Sequence, residues 1–100
     1  MVSLGMTLQE FIQSLDYDTM PESLTVPLQA LWWDAKGDWA RAHALINDLE
    51  DSVSAHVHAY LHRKEGDLWN ARYWYSRAQQ PEFKGPLQEE WRYLLELYLR

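Results

Sequence analysis

The chain is 100 residues long, 47% hydrophobic and rich in aromatics, with six tryptophans and a formal net charge of −6. That length makes a single domain over residues 1–100, with enough apolar material for a core without disulfides. The absence of cysteine excludes disulfides, thiolate metal sites and cysteine nucleophiles, and the acidic balance argues against duplex nucleic acid and anionic membrane surfaces as partners.

Met1 to Met6 has no basic segment followed by a long apolar run, so no signal peptide is expected. Thr7-Leu8-Gln9-Glu10 then reads as a capping box that opens a first helix with Leu8, Phe11, Ile12 and Leu15 on one stripe. Asp16 to Glu22, with Pro21, reads as a loop. Pro27 suits the first turn of a second helix, in which Leu28, Leu31, Trp32 and Ala35 fall at helical spacing and which Gly37 ends. Asp38 caps a third helix with the stripe Ala42, Leu45, Ile46 and Leu49. Asp51 or Ser52 caps a fourth, ended by Gly66. Asp67 caps a fifth, with Ala71, Trp74, Tyr75 and Ala78 inward. Pro81 and Gly85-Pro86 mark a loop before a last helix from about Leu87 to Leu99, with Leu87, Trp91, Leu94, Leu95 and Tyr98 on one side. No segment alternates with period two, and no apolar stretch approaches the roughly 20 residues of a membrane span. The expectation is an all-α protein of about six helices in the cytoplasm.

One segment occurs twice. Gly37-Asp38-Trp39-Ala40-Arg41-Ala42 returns as Gly66-Asp67-Leu68-Trp69-Asn70-Ala71, a period of about 29 residues. Glycine takes the left-handed conformation that stops one helix, and aspartate accepts from the free amides that start the next. Each pair therefore makes a tight turn between helices, and Ala42 and Ala71 fall where two backbones must approach closely. Self-similarity at this period points to stacked antiparallel helical hairpins, with the first and last helices as caps.

The second copy resembles a tetratricopeptide repeat, whose turn and second helix read Gly-Asp, three residues, Ala, three residues, an aromatic, two residues, Ala, then Pro. Gly66-Asp67, Ala71, Tyr75, Ala78 and Pro81 fill those places. Ala30 and Ala59 match the small residue seven before the turn glycine. The first copy fits at Gly37-Asp38, Ala42 and Ile46, but Leu49 replaces the later alanine and no proline follows. The resemblance covers residues 24 to 81. The period is shorter than that family's roughly 34 residues, and there are only two copies. The chain is also similar to a small uncharacterised bacterial family carrying His58-Ala59-Tyr60-Leu61-His62-Arg63-Lys64-Glu65-Gly66-Asp67 followed by Tyr73-Trp74-Tyr75. This second likeness implies a fold and no activity.

Three groups of residues carry chemistry. His58 and His62 stand four apart and project from one helix face, the spacing of a helical two-histidine metal site, and His43 on the preceding helix would face them. The competing reading is that each histidine is satisfied by backbone, tyrosine or carboxylate. No glutamate lies between them, so the His-Glu-x-x-His metalloprotease pattern is absent. In the second group, the repeat resemblance implies that His56, Tyr60, Arg63 and Lys64 line a concave, ligand-facing surface. There Arg63 and Lys64 would hold a carboxylate or phosphate over Tyr60 as an apolar floor, the competing reading being a solvated basic turn that pairs with Glu65 or Asp67. A two-repeat carboxylate clamp would need basic or amide partners in the first copy, which instead offers Leu24, Pro27, Leu31, Asp34 and Ala35. The third feature is Trp69, which sits where a polar residue is expected. It is either an exposed interface anchor or is covered by the last helix.

Catalytic signatures are missing. Ser52, Ser54 and Ser76 lack a nucleophile-elbow pattern, and the four glycines are too scattered to cradle phosphate. Glu89-Glu90 reads as helix N-terminal charge favoured by the dipole. Two function classes follow. One is a helical-repeat interaction module that binds a peptide, a protein with an acidic group, or its own copy, through His56, Tyr60, Arg63, Lys64 and Trp69. It needs no cofactor and performs no catalysis. The other is a small metal-binding or catalytic protein that holds a divalent ion such as zinc on His43, His58 and His62.

Overall fold

The structure, a computed structural model, describes residues 6–99. The reading of Met1 to Met6 as lacking a signal peptide therefore falls almost wholly outside the described residues. Six helices follow in order: α1 (Leu8–Ser14), α2 (Val26–Ala35), α3 (Trp39–Ile46), α4 (Ser52–Lys64), α5 (Leu68–Ala78) and α6 (Leu87–Tyr98). The described residues contain no strand, so the chain is all-α, as the periodicity implies. No helix among them is long and apolar enough to cross a membrane.

Local chemistry explains the boundaries. The capping box forms in full: the Glu10 amide donates to Thr7 Oγ1 at 3.0 Å and the Thr7 amide to Glu10 Oε1 at 2.9 Å. Pro27 lies in the first turn of α2, where its missing N–H leaves nothing unpaired. Gly37 and Gly66 both take the left-handed conformation, at φ 89° and 84°. Around each, the following aspartate amide returns to the carbonyl five residues back, Asp38 to Trp33 and Asp67 to His62, both at 2.9 Å. These bonds satisfy carbonyls that the helix end would otherwise orphan. The aspartate side chains then cap the next helices, Asp38 through the Arg41 amide and Asp67 through the Asn70 amide. The chain thus folds as two consecutive hairpins, α2–α3 and α4–α5, joined by the same turn.

Helix α4 is the axis of the molecule. It packs against α2, α3, α5 and α6, and every residue from Ser54 to His62 is buried. A helix covered on all sides has no solvent stripe, so its polar side chains must find partners inside the protein. The main core gathers Phe11, Leu28, Leu31, Trp32, Ile46, Leu61, Leu94 and Leu95, and a smaller cluster joins Ala59, Ala71 and Tyr75. Ala42 and Ala71 are buried at the close approaches, as expected.

Several assignments along the helices shift. Ile12, read on the inward stripe of α1, is exposed. Ala35 is exposed, and Asp34, one position earlier and three after Leu31, is buried instead. Glu90 is not solvated N-terminal charge. It is fully buried, because it sits three after Leu87 and four before Leu94, on the inward stripe of α6. Leu99 packs against the main core.

Candidate functional site

The end of α4 carries the cations expected to face an open concave surface. The structure turns both onto buried carboxylates. Arg63 Nη1 donates to Glu90 Oε1 at 2.7 Å, and its other terminal nitrogen donates to the Gly85 carbonyl. Tyr75 completes the network by donating to Glu90 Oε2 at 2.5 Å, and burial together with this carboxylate pushes the Tyr75 pKa up. Arg63 also lies over the Phe83 ring. It is therefore a core ion-pair partner and does not line an open surface. His56 is likewise buried, with Nδ1 at 2.7 Å from the Tyr98 hydroxyl. Burial lowers its pKa to about 4, so it is neutral near pH 7. It too leaves the expected surface.

Tyr60 and Lys64 do line a cavity. It has a volume of about 650 Å³ and lies between α1, α2, α4 and α6. Ile12, Leu15, Leu87 and Trp91 supply apolar wall, and Gln88 and Arg92 join from α6. Its floor is Asp34, which accepts from Tyr60 at 2.7 Å and from Lys64 at 2.9 Å. Burial and then the Asp34 charge raise the Tyr60 pKa, so this hydroxyl keeps its proton. Trp91 is pinned by its indole N–H, which donates to the Leu31 carbonyl at 3.0 Å. Arg92 reaches Glu96 only at 3.8 Å, with both side chains well exposed.

His43, His58 and His62 converge. Helix α3 contributes the first and α4 the other two, one turn apart. One ring nitrogen from each lies within 4.8 Å of the others, and His43 Nε2 stands 3.1 Å from His58 Nε2. The rings of His58 and His62 stack at 4.8 Å, and His43 meets both edge-on. Two indoles hold the set: Trp39 stacks on His43, and Trp74 stacks on His58 at 4.0 Å. Trp39 is itself fixed by donating to the Leu61 carbonyl at 2.8 Å. Glu65 Oε1 lies 2.7 Å from His62 Nδ1. His58 Nδ1 is buried without a hydrogen-bond partner. Burial, followed by the neighbouring imidazoles, lowers the pKa of His58 to about 3 and also lowers that of His43.

Trp69 is 78% exposed, so the last helix does not cover it. It shares the outer face of α5 with Leu68 and Tyr73, beside a shallow groove completed by Asn70, Arg72 and Ser76.

Sequence reasoning missed Asp34, Glu65, Glu90 and Arg92. Asp34 and Glu90 were findable, since each is a carboxylate at an inward position of an otherwise apolar stripe. Glu65 lies three after His62, the spacing at which helical side chains meet. Nothing in the sequence marks Arg92, whose place at the cavity mouth depends on how α6 docks. No family model, no curated protein and no solved structure matches this chain.

Proposed function

We propose that this protein is a recognition module whose binding site is the cavity between α1, α2, α4 and α6. Its partner is a peptide or protein segment that presents an apolar side chain beside a carboxylate. The observation that carries this reading is the mixed lining of a cavity of about 650 Å³: apolar walls, with Lys64 and Arg92 on the same rim. Such a volume, largely apolar with a few convergent polar groups, is typical of ligand sites. The charges favour an anion. Asp34 is balanced by Lys64, and the exposed Arg92, held by Glu96 only at 3.8 Å, can turn to a ligand carboxylate in a chain of net −6. Tyr60 is held as a wall by Asp34 and does not serve as a proton-transfer group. The two Gly-Asp hairpins support keeping a tetratricopeptide-like architecture in this reading, and a cysteine-free chain suits a cytoplasmic setting.

A peptide array tests it. Acidic, apolar peptides should bind the wild type, and replacing their carboxylates by amides should weaken binding at least tenfold. Arg92→Glu and Ile12→Asp, both at exposed positions, should each abolish the preference without unfolding the chain. Equal binding of acid and amide peptides, or a preference that survives both variants, would overturn the reading.

A second contact surface is favoured by the exposure of Trp69, since tryptophan is enriched among residues that anchor interfaces. A second copy of the chain is the occupant in this reading. Sedimentation at high concentration should show an associated species that Trp69→Ala removes; a strict monomer in wild type rules it out.

A further inference from the structure

We propose that His43, His58 and His62 form a three-imidazole site for a zinc-type divalent ion, with the fourth coordination position left to water.

The first argument is geometric. Tetrahedral zinc with Zn–N bonds of roughly 2.0–2.1 Å places its ligand nitrogens about 3.3 Å apart. The His43 and His58 Nε2 atoms already stand 3.1 Å apart, and the His62 donor lies within 4.8 Å of both. A small side-chain rotation brings the third nitrogen in. His58 and His62 are one turn apart on α4, so the helix presents both from one face. The α3–α4 packing brings His43 across.

The second argument is chemical. A set of histidines that served only to fill a core would each have a donor or acceptor supplied. The His56–Tyr98 pair on the opposite side of α4 shows how this chain does that. In the trio, the Nε2 atoms of His43 and His58 face each other, a contact that only one proton can bridge, and the His62 donor lies within 4.8 Å of both. A metal ion accepts the lone pairs of all three converging nitrogens at once, which a single shared proton cannot do. The neighbours fit an ion. Neutral imidazole suits zinc, and the chain offers no thiolate to compete with it. Glu65 holds His62 Nδ1, which leaves Nε2 to coordinate. That is the carboxylate–histidine arrangement that orients a metal ligand and raises its basicity, so Glu65 is a positioning residue. His58 lies against Trp74 and His43 against Trp39, so indole walls fix two of the three rings. His43 is only half-buried, so the site opens toward solvent on the α3 side, where a water can complete the tetrahedron.

The ion would also link the two hairpins, because one ligand comes from α2–α3 and two come from α4–α5. Binding to the folded chain should therefore raise thermal stability, rising with the logarithm of zinc concentration over the dissociation constant.

The experiment uses the full chain without a histidine tag, titrated with Zn²⁺ by calorimetry, and with Co²⁺ followed by its visible d–d absorption. One ion per chain and an intense four-coordinate cobalt spectrum are expected. His43→Ala should weaken affinity at least a hundredfold. Glu65→Gln should weaken it tenfold to a hundredfold while keeping the four-coordinate spectrum. His56→Gln, which alters a buried histidine outside the trio, should leave binding unchanged. Two results would overturn the proposal. One is no binding at submillimolar zinc by a chain that circular dichroism shows to be folded. The other is binding that survives His43→Ala but is lost in Glu65→Gln, which would place the ion on His62, Glu65 and Asp67, a more exposed group whose donor atoms also lie within 4.8 Å of one another.

Discussion

The two sides of α4 treat buried polar groups differently. On the side facing α5 and α6, Glu90 accepts from both Arg63 and Tyr75, and His56 meets Tyr98. On the side facing α3 and the Trp74 ring, three imidazoles crowd together and only His62 has a carboxylate. The first side is closed, since its buried donors and acceptors answer one another. The second keeps a buried nitrogen with nothing to bond. A helix buried all round cannot send polar side chains to water, so pairing or ligand binding remain as ways to satisfy them. The contrast shows which polar groups hold the fold together and which are available to bind something.

The sharpest way to break this comparison is to unpair the closed side. Arg63→Ala leaves a fully buried Glu90 with Tyr75 alone, and breaking a buried ion pair by removing one partner costs about 3–5 kcal/mol. Urea denaturation should register a loss of that size. Lys64→Ala should cost less, because Lys64 is itself 39% exposed, and water can partly replace it at Asp34. If the two variants cost the same, the closed side is not special. A binding assay built on Arg63→Ala would measure folding rather than recognition.

Acid sharpens the same contrast with a somewhat smaller effect. Burial holds the His56 pKa at about 4 in the folded chain, against 6.5 when unfolded. The unfolded state therefore binds more protons between those values, and stability falls as pH drops from 6.5 toward 4. The loss from this one group is on the order of 3 kcal/mol, at 1.36 kcal/mol per pH unit. Above pH 6.5 the contribution is fully present. His56→Gln can still bond Tyr98 and does not titrate, so its stability–pH curve should be flatter over that window. An identical slope would mean that other groups set the acid limit.

How much of this was legible in the sequence follows from how local each cause is. The Gly37-Asp38 and Gly66-Asp67 turns, the Thr7 capping box and the Pro27 start depend on residues within one turn of each other, and all formed as read. The convergence of His43 with His58 and His62 was legible because the repeated hairpin fixes which faces of α3 and α4 meet. What failed depended on more distant packing. For Arg63 and Lys64 the carboxylates in view were the neighbouring Glu65 and Asp67, which would leave both cations at the surface. Their partners, Glu90 and Asp34, arrive from 27 and 30 residues away. Glu90 was misread because its position near a helix start offered a ready electrostatic role, while its place on the inward stripe went unweighed.

The smallest expected effect is the most discriminating. His58→Leu, in protein freed of metal by a chelator, should change stability by less than about 1 kcal/mol, as three contributions nearly cancel. The variant loses the ring stacking on Trp74, worth about 0.5–1.5 kcal/mol. It also loses the contact with His43, worth about 1 kcal/mol, and the half-buried His43 can turn to water instead. Against these it removes a buried nitrogen with no partner, a relief of about 1–3 kcal/mol. Leucine is close to imidazole in volume, so no large cavity opens. The fold would thus tolerate the loss of a fully buried polar residue on one side of α4, where it does not tolerate the loss of Arg63 on the other. A cost of 3 kcal/mol or more would show that the trio is a satisfied structural network, and the two sides of the helix would then be alike.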